Sequence, residues 1–291
     1  MRRGDARPPP WPPTRTSLDR LASSRIRSGP GIRYHRTVLI LLPPSEGKTA
    51  ASQGPGVDFS ALSFPELNTA RAEVLEALGT VSAHEDALEL LGVGASLHEE
   101  VARNTRLRHE SAAPAHSVYS GVLYDALGYA SMTATQRRKA DDAVVIISAL
   151  WGALKFDDAV PAYRLSMGTA LAGLGRLASY WKPRLSEALA PLIEGELLVD
   201  CRSSTYATAW VPPAEQTVAV NVFRERDGKR SVVSHFAKHT RGELARHLLT
   251  RRGKSPQSPE QLLKAASELY RAELVPGTAR KAHALNIILT D

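Results

Sequence analysis

The sequence predicts a mixed α/β fold: a single large domain with a mixed sheet, an antiparallel hairpin and a helix-hairpin-helix-like element. Three short apolar runs, at 38–42, 143–150 and 197–201, have the length and composition of buried strands. Segments with helical spacing of apolar residues separate these runs, which is typical of a sheet covered by helices. Asp227-Gly228 joins two further strand-like runs and is a strong signal for a two-residue hairpin turn.

Residues 1–37 differ in composition from the rest of the chain. The chain has 37 basic and 30 acidic side chains, and nine Arg, two Asp and six Pro lie before residue 37. The other 28 basic and 28 acidic side chains balance, so the formal net charge of +7 belongs to this leader. We expect the leader to be disordered. A nucleic-acid arm and a transit peptide are alternatives, but we favour translated upstream sequence outside the native protein, with the domain spanning 38–291.

The composition of the remaining chain excludes several classes of protein. No apolar run approaches the roughly 20 residues that a membrane helix needs, so we expect no membrane partner. Cys201 is the only cysteine, which excludes a disulfide framework and a multi-cysteine metal centre and fits a reducing cytoplasm. We expect no metal site and no cofactor.

The predicted elements follow the leader in order. Strand 38–42 ends at Pro43-Pro44 and is followed by a loop over 45–56. Helical patterns and the second strand come next. They are followed by a helix that Pro183 bends or in whose first turn it lies, and then by the third strand and the hairpin. Two helices and a final strand complete the domain. The predicted helices are 65–78, 85–91, 96–104, 122–127, 134–139, 177–192, 240–250 and 259–270; the hairpin strands are 217–226 and 229–236, and the last strand is 284–289.

The first loop contains a lysine that could meet an anion. Gly47-Lys48-Thr49 is like the end of a phosphate-binding loop, but that motif needs a glycine where Leu42 stands, so we reject the ATPase interpretation. Lys48 still follows a strand, where it could bind a phosphate or a carboxylate. A solvated loop lysine is an equally good interpretation.

Gly92-Val93-Gly94 lies between two helical patterns. This arrangement is typical of a helix-hairpin-helix element, whose glycines let the turn approach a DNA duplex. A plain helical hairpin with Gly92 as its C-cap is the alternative. Glu99 and Glu100 nearby disfavour contact with DNA.

Polar side chains cluster after each later strand, where ligands collect in α/β proteins. Arg offers a bidentate fork for phosphate, and Tyr offers a face for stacking. A structural ion-pair network is the alternative. The candidates after the second strand are Lys155, Asp158, Tyr163 and Arg164, those after the third are Asp200, Arg202 and Tyr206, and those after the hairpin are Lys238 and Arg241. His235 and His239 have the spacing of a helical metal pair, but a predicted change from strand to helix would put them on different faces.

Six segments in this order resemble the YaaA-type peroxide stress protein family, over about residues 38–265. They are VLILLPPSEGKT, YSGVLYDAL, ISALWGALKFDDAVPAYRLSMG, SYWKPRLSEAL, LVDCRSSTYA and NVFRERDGKRSVVSHFAKHTRGELARHLL. Chains of that family begin near Val38, which supports setting the leader aside. His239 stands where the family often has Lys, and residues 271–291 match less closely.

The resemblance implies a cytoplasmic protein of the hydroperoxide stress response that helps limit free intracellular iron. It also implies binding of double-stranded DNA, with little sequence preference, through a helix-hairpin-helix and a cationic cleft. The hairpin then corresponds to Gly92, Val93 and Gly94, and the cleft cations correspond to Lys48, Lys155, Arg164, Lys238 and Arg241.

Two further hypotheses compete with DNA binding. The same residues could form an enzyme pocket for a nucleotide-like or other phosphorylated small molecule, with Tyr163, Asp158, Asp200, Arg202 and Tyr206 around the ligand. Direct iron sequestration is disfavoured because no carboxylate–His cluster is evident, so we expect any iron effect to be indirect. Duplex binding that weakens with salt would support DNA binding, and stabilisation of the protein by nucleotides would support the enzyme pocket.

Overall fold

An eight-stranded mixed sheet organises the chain in the computed structural model, which describes residues 38–233 and 235–290. The predicted leader, 1–37, lies outside the described residues. The strands are β1 (Leu39–Leu42), β2 (Ala113–Pro114), β3 (Val144–Ser148), β4 (Gly152–Leu154), β5 (Ala159–Val160), β6 (Ala170–Leu171), β7 (Gly175–Arg176), β8 (Leu198–Asp200), β9 (Thr217–Arg226), β10 (Lys229–Val232), β11 (Arg271–Val275) and β12 (His283–Thr290).

The central strands of this sheet are parallel and the edges are antiparallel. The order is β11-β12-β9-β8-β1-β3-β4, with β12, β9, β8, β1 and β3 parallel to one another. Strands β4 and β11 run antiparallel to their neighbours, and β10 forms the predicted hairpin with β9. The mixed α/β class is therefore confirmed.

The three apolar runs of the sequence form adjacent strands at the middle of the sheet. Every residue of β1, β3 and β8 is buried. A strand that is covered on both faces has no solvent face, which explains why these runs are continuous rather than alternating. The last predicted strand is also confirmed, as β12.

Ten α-helices and several 3-10 turns surround the described part of the sheet. The helices are α1 (Asn68–Ser82), α2 (Ala87–Leu90), α3 (His98–Arg103), α4 (Ala115–Val118), α5 (Val122–Leu127), α6 (Ala134–Ala143), α7 (Leu177–Leu189), α8 (Ser204–Ala207), α9 (His235–Thr250) and α10 (Pro259–Ala266). Pro183 lies inside α7, as predicted. Among the described residues, no helix combines the length and apolar character needed to cross a membrane.

The boundary between β10 and α9 differs from the sequence prediction in a way that affects the candidate site. Helix α9 begins at His235, five residues before the predicted start, and β10 ends at Val232 instead of at residue 236. His235 and His239 therefore share one helix, and the predicted strand-to-helix change between them is wrong. The apolar run after the hairpin fits a strand and a helix equally well over so short a length.

A glycine allows the close packing of α5 against α9. A Cβ atom at Gly242 would collide with the carbonyl oxygen of Leu123, and it would lie 2.9 Å from the Cβ of Ala126. This contact fixes the middle of α9 against α5. Both segments border the site described next.

Candidate functional site

A cleft of about 760 Å³ opens at the carboxyl edge of the parallel strands. Strands β1 and β8 end at its floor, while β9 continues for seven residues past Ala219, the partner of Asp200 on β8. Seven residues of strand extend about 23 Å, so this overhang and its hairpin partner β10 form one wall. The start of α9, the loop 43–47 and the loop before α5 border the remaining sides. Ligands of open α/β sheets bind at such edges.

Hydrogen bonds join the two loops that line the cleft. The Ser45 hydroxyl accepts a bond of 3.0 Å from the Ser120 amide and donates one of 2.5 Å to the Gly47 carbonyl. Beyond the cleft, Lys48 and Tyr119 form a β-bridge, and the Thr49 amide donates to the Val118 carbonyl at 2.8 Å. These bonds fix the rim that follows β1.

Asp200 and Arg202 form a buried bidentate ion pair at the cleft floor. Arg202 Nε donates to Asp200 Oδ1 at 2.8 Å, and Nη2 donates to Oδ2 at 2.7 Å. Arg202 Nη1 also donates to the Tyr206 carbonyl at 3.3 Å. The Arg202 side chain is only 1% exposed. Its charge is therefore neutralised within the protein, and the pair serves to shape the floor.

Lys238 and Arg241 are the cations that face the cleft without a carboxylate partner among the described residues. Lys238 is exposed on the first turn of α9. Arg241 lies about one turn later, and its Nε and Nη2 donate to the Val220 carbonyl at 3.1 and 2.8 Å. These bonds hold Arg241 against the β9 wall and leave its Nη1 for a ligand.

The Lys48 amine lies behind the rim loop. Its Nζ donates to the Ser45 carbonyl at 2.9 Å and to the Glu46 carbonyl at 3.3 Å, and it lies 4.3 Å from the centre of the Tyr163 ring. Burial, with repulsion from Arg164, lowers the pKa of Lys48 to about 7, against the opposing pull of Glu46 and Glu100. Lys48 supports the rim and is outside the cleft lining.

Arg164 connects the predicted hairpin to the cleft rim. Its Nη2 lies 3.1 Å from Glu46 Oε2, and its Nη1 lies 3.7 Å from Glu100 Oε2 on α3. Two carboxylates therefore balance this guanidinium. Arg164 acts here as a bridge between two elements, and its charge is not available to an anion in this arrangement.

The other candidates after β3 lie outside the cleft lining. Lys155 Nζ donates to the Asp142 carbonyl at 2.6 Å. Asp158 is buried and accepts bonds of 2.8 Å from the amides of Ser63 and Lys155. The buried Tyr163 hydroxyl bonds to Ser148 at 2.7 Å and to Tyr119 at 3.0 Å. These contacts fit the structural network that the sequence left as an alternative.

The Gly92–Gly94 turn is exposed between two short helices, α2 and α3. Gly92 has a φ of +65°, which a glycine adopts readily, whereas Gly94 has an ordinary φ of −78°. A Cβ at Gly94 would meet no atom within 4 Å. Glu89 and Glu99 flank the turn, so its surroundings are acidic.

Sequence reasoning missed the apolar walls of the cleft. Residues 219–223 of β9, together with Val232, Val233 and Ala237, line most of one side. The sequence signal for these walls is the length of β9, which has ten residues against three in β8.

Cys201 also lines the floor of the cleft, and burial raises the pKa of its thiol to about 12. The described residues hold no group of three or more His, Cys, Asp or Glu placed to bind a metal ion.

The arrangement suits an anion with apolar surface. Two cations of α9 lie beside the apolar β9 wall, and serine hydroxyls lie at the floor. Of the sequence candidates, the structure brings Asp200, Arg202, Tyr206, Lys238 and Arg241 together in the cleft. It places Lys48 and Arg164 behind the rim.

Comparison with known proteins gives a consistent match. The family described as "Peroxide stress protein YaaA" matches residues 38–274. A UPF0246 protein of Streptomyces coelicolor is 40% identical over 261 residues, which cover 87% of this chain and 99% of that protein. A UPF0246 protein of Corynebacterium efficiens is 43% identical over 215 residues, which cover 73% of this chain and 85% of that protein.

Proposed function

Because this chain belongs to the YaaA family of peroxide stress proteins, we propose that it acts in the cytoplasm during hydroperoxide stress by binding double-stranded DNA. The DNA phosphates contact the cationic rim of the cleft, and the Gly92–Gly94 turn contacts the backbone nearby. Binding of this kind reads charge and shape and has little sequence preference.

The observation that carries the proposal is the pair Lys238 and Arg241. Both face the cleft opening one helical turn apart, and no described carboxylate neutralises them. By contrast, Arg164 and Arg202 pair with carboxylates, and Lys48 and Lys155 lie outside the cleft lining. The positive charge near the start of α9 therefore supports contact with phosphates, even though the domain has equal numbers of acidic and basic side chains.

The family description also supports a role in oxidative stress. We assign to the protein an indirect part in limiting free intracellular iron. Deletion of the gene should raise the chelatable iron signal in electron paramagnetic resonance of peroxide-treated cells. The wild-type gene should restore the signal, and a gene encoding Lys238→Gln should not; full restoration by that variant would contradict a route through DNA.

Fluorescence anisotropy with a labelled 20-base-pair duplex tests the DNA proposal. At about 0.1 M salt, Lys238→Gln should weaken binding about five- to tenfold, because one phosphate contact and its counterion release are lost. Lys182→Gln, at an exposed lysine of α7 outside the cleft lining, is the matched control. Equal affinity of the two variants, or no duplex binding by the wild type, would reject the proposal.

The turn is tested separately by Gly94→Leu. The structure leaves space for this side chain, so the free energy of unfolding should stay within about 0.5 kcal/mol of wild type. Duplex affinity should fall if the turn lies against the DNA backbone, because the added side chain keeps the phosphates away. Unchanged affinity would remove the turn from the DNA-binding surface.

A further inference from the structure

The interior of the cleft has a different character from its rim. A duplex backbone needs exposed cations along its length, and the interior instead presents apolar atoms of the half-buried Pro43, Ala219 and Phe223. The volume of about 760 Å³ lies within the range of small-molecule pockets, about 300–1,000 Å³. Binding of DNA at the rim therefore does not explain the apolar character of the interior.

One end of the interior is equipped for a single anionic group. Arg241 is fixed by its two bonds to the Val220 carbonyl, so its remaining Nη1 is preorganised and loses little entropy on binding. Lys238 adds a mobile charge about one turn away on the same helix. The Ser203 and Ser204 hydroxyls, at the floor, provide donors that are exposed in the described structure.

The rest of the interior suits a planar ring that needs few hydrogen bonds. Asn221 is the amide among the lining residues, and its Nδ2 donates to Asn286 Oδ1 at 3.0 Å. This bond fixes the orientation of the amide. The surrounding walls include aliphatic and proline surfaces and the Phe223 ring, which pack against planar rings.

We infer that the interior of the cleft binds a small organic anion with one phosphate head group and a planar ring, such as a nucleoside monophosphate. Lys238 and Arg241 bind the head group. The β9 wall and the Pro43-Pro44 segment enclose the body. This site goes beyond the DNA proposal: it shares Lys238 and Arg241 with the proposed DNA surface, but it holds the body of the ligand with interior residues that a duplex would leave untouched.

Isothermal titration of the full chain with adenosine 5′-monophosphate tests the inference. Adenosine, which lacks the head group, and inorganic phosphate, which lacks the body, should each bind at least tenfold more weakly. Lys238→Gln should weaken binding of the monophosphate several-fold. If the monophosphate does not bind at millimolar concentration, or binds no better than inorganic phosphate, the inference is wrong.

Variants that fill the interior separate this site from the DNA surface. Ala219→Phe and Ala207→Phe place a ring in the cleft from β9 and from α8, and Thr205→Phe adds the same ring at an exposed position of α8 outside the lining. Each filling variant that retains a cooperative thermal transition should lose monophosphate binding at least tenfold and keep duplex affinity. Thr205→Phe should keep both.

The outcomes distinguish the two proposals. Monophosphate binding that survives both filling variants would place the ligand elsewhere and overturn the inference. Loss of duplex binding in Lys238→Gln with unchanged monophosphate binding would also overturn it while leaving the DNA proposal intact. Monophosphate binding by a protein that binds no duplex would support the interior site and reject the DNA proposal.

Discussion

The position of Asp200 in the fold can be predicted from the sequence, but its bonding partner cannot. The sequence indicates that Asp200 and Arg202 follow a strand and so lie near the sheet edge, and the structure places both at the cleft floor. Sequence spacing does not specify that the two side chains bind each other bidentately. Partner choice depends on the side-chain conformations and on the burial that the whole domain imposes.

Removing one member of this buried pair should be strongly destabilising. Asp200→Ala leaves the Arg202 guanidinium buried without a counter-charge, so we expect a loss of about 3–5 kcal/mol in the free energy of unfolding. Urea denaturation measures this change. The double variant Asp200→Ala, Arg202→Met should lose less than the single variant, because no unpaired charge remains; a larger loss would contradict the proposed cause.

Lys48 should make stability depend on pH. Its pKa is about 7 in the folded protein, below the ordinary value of 10.5 that holds in the unfolded chain. Between these values the unfolded state binds more protons, so the Lys48 contribution to stability rises as pH increases from about 7 to about 10. Below about pH 7 both states are protonated and the contribution is constant.

The variant Lys48→Met removes this titration and keeps much of the side-chain volume. The stability of wild type relative to Lys48→Met should therefore increase from pH 7 to pH 10, as measured by urea denaturation at each pH. Lys182→Met, at an exposed lysine of α7, controls for general effects of charge. A difference between wild type and Lys48→Met that stays constant or falls over this range would contradict the burial of the amine.

At the scale of elements, the central strands were predictable, whereas the edge strands β4 and β11 and the end of β10 were not. Strands β1, β3 and β8 are continuous apolar runs, which their burial on both faces requires. The boundary between β10 and α9 was misplaced because four or five residues rich in apolar side chains do not distinguish a strand from a helix. That boundary determines where Lys238 lies, so the cleft could not be assembled from sequence alone.

The packing of α5 on α9 should depend on the absence of a side chain at Gly242. Gly242→Ala forces the two helices apart, because the added Cβ would overlap the Leu123 carbonyl. We expect a loss of about 1–3 kcal/mol and a lower melting temperature by differential scanning calorimetry. Gly47→Ala, where a Cβ meets no atom within 4 Å, serves as the matched control. Equal melting temperatures for the two variants would contradict this packing.

On the scale of the whole molecule, net charge is a poor guide to the binding surface. The formal charge of +7 arises before residue 37, and the remaining acidic and basic side chains are equal in number. Folding brings Lys238 and Arg241 to one opening and pairs Arg164 and Arg202 with carboxylates. The proposed attraction to DNA phosphates therefore depends on the local charge of the cleft rim.

The salt dependence of duplex binding tests this claim most directly. The logarithm of the association constant should fall linearly with the logarithm of salt concentration, with a slope of about −0.9 for each phosphate contacted. Lys238→Gln should reduce the magnitude of the slope by about one, and Lys182→Gln should leave it unchanged. An identical slope for wild type and Lys238→Gln would contradict phosphate binding at the cleft rim.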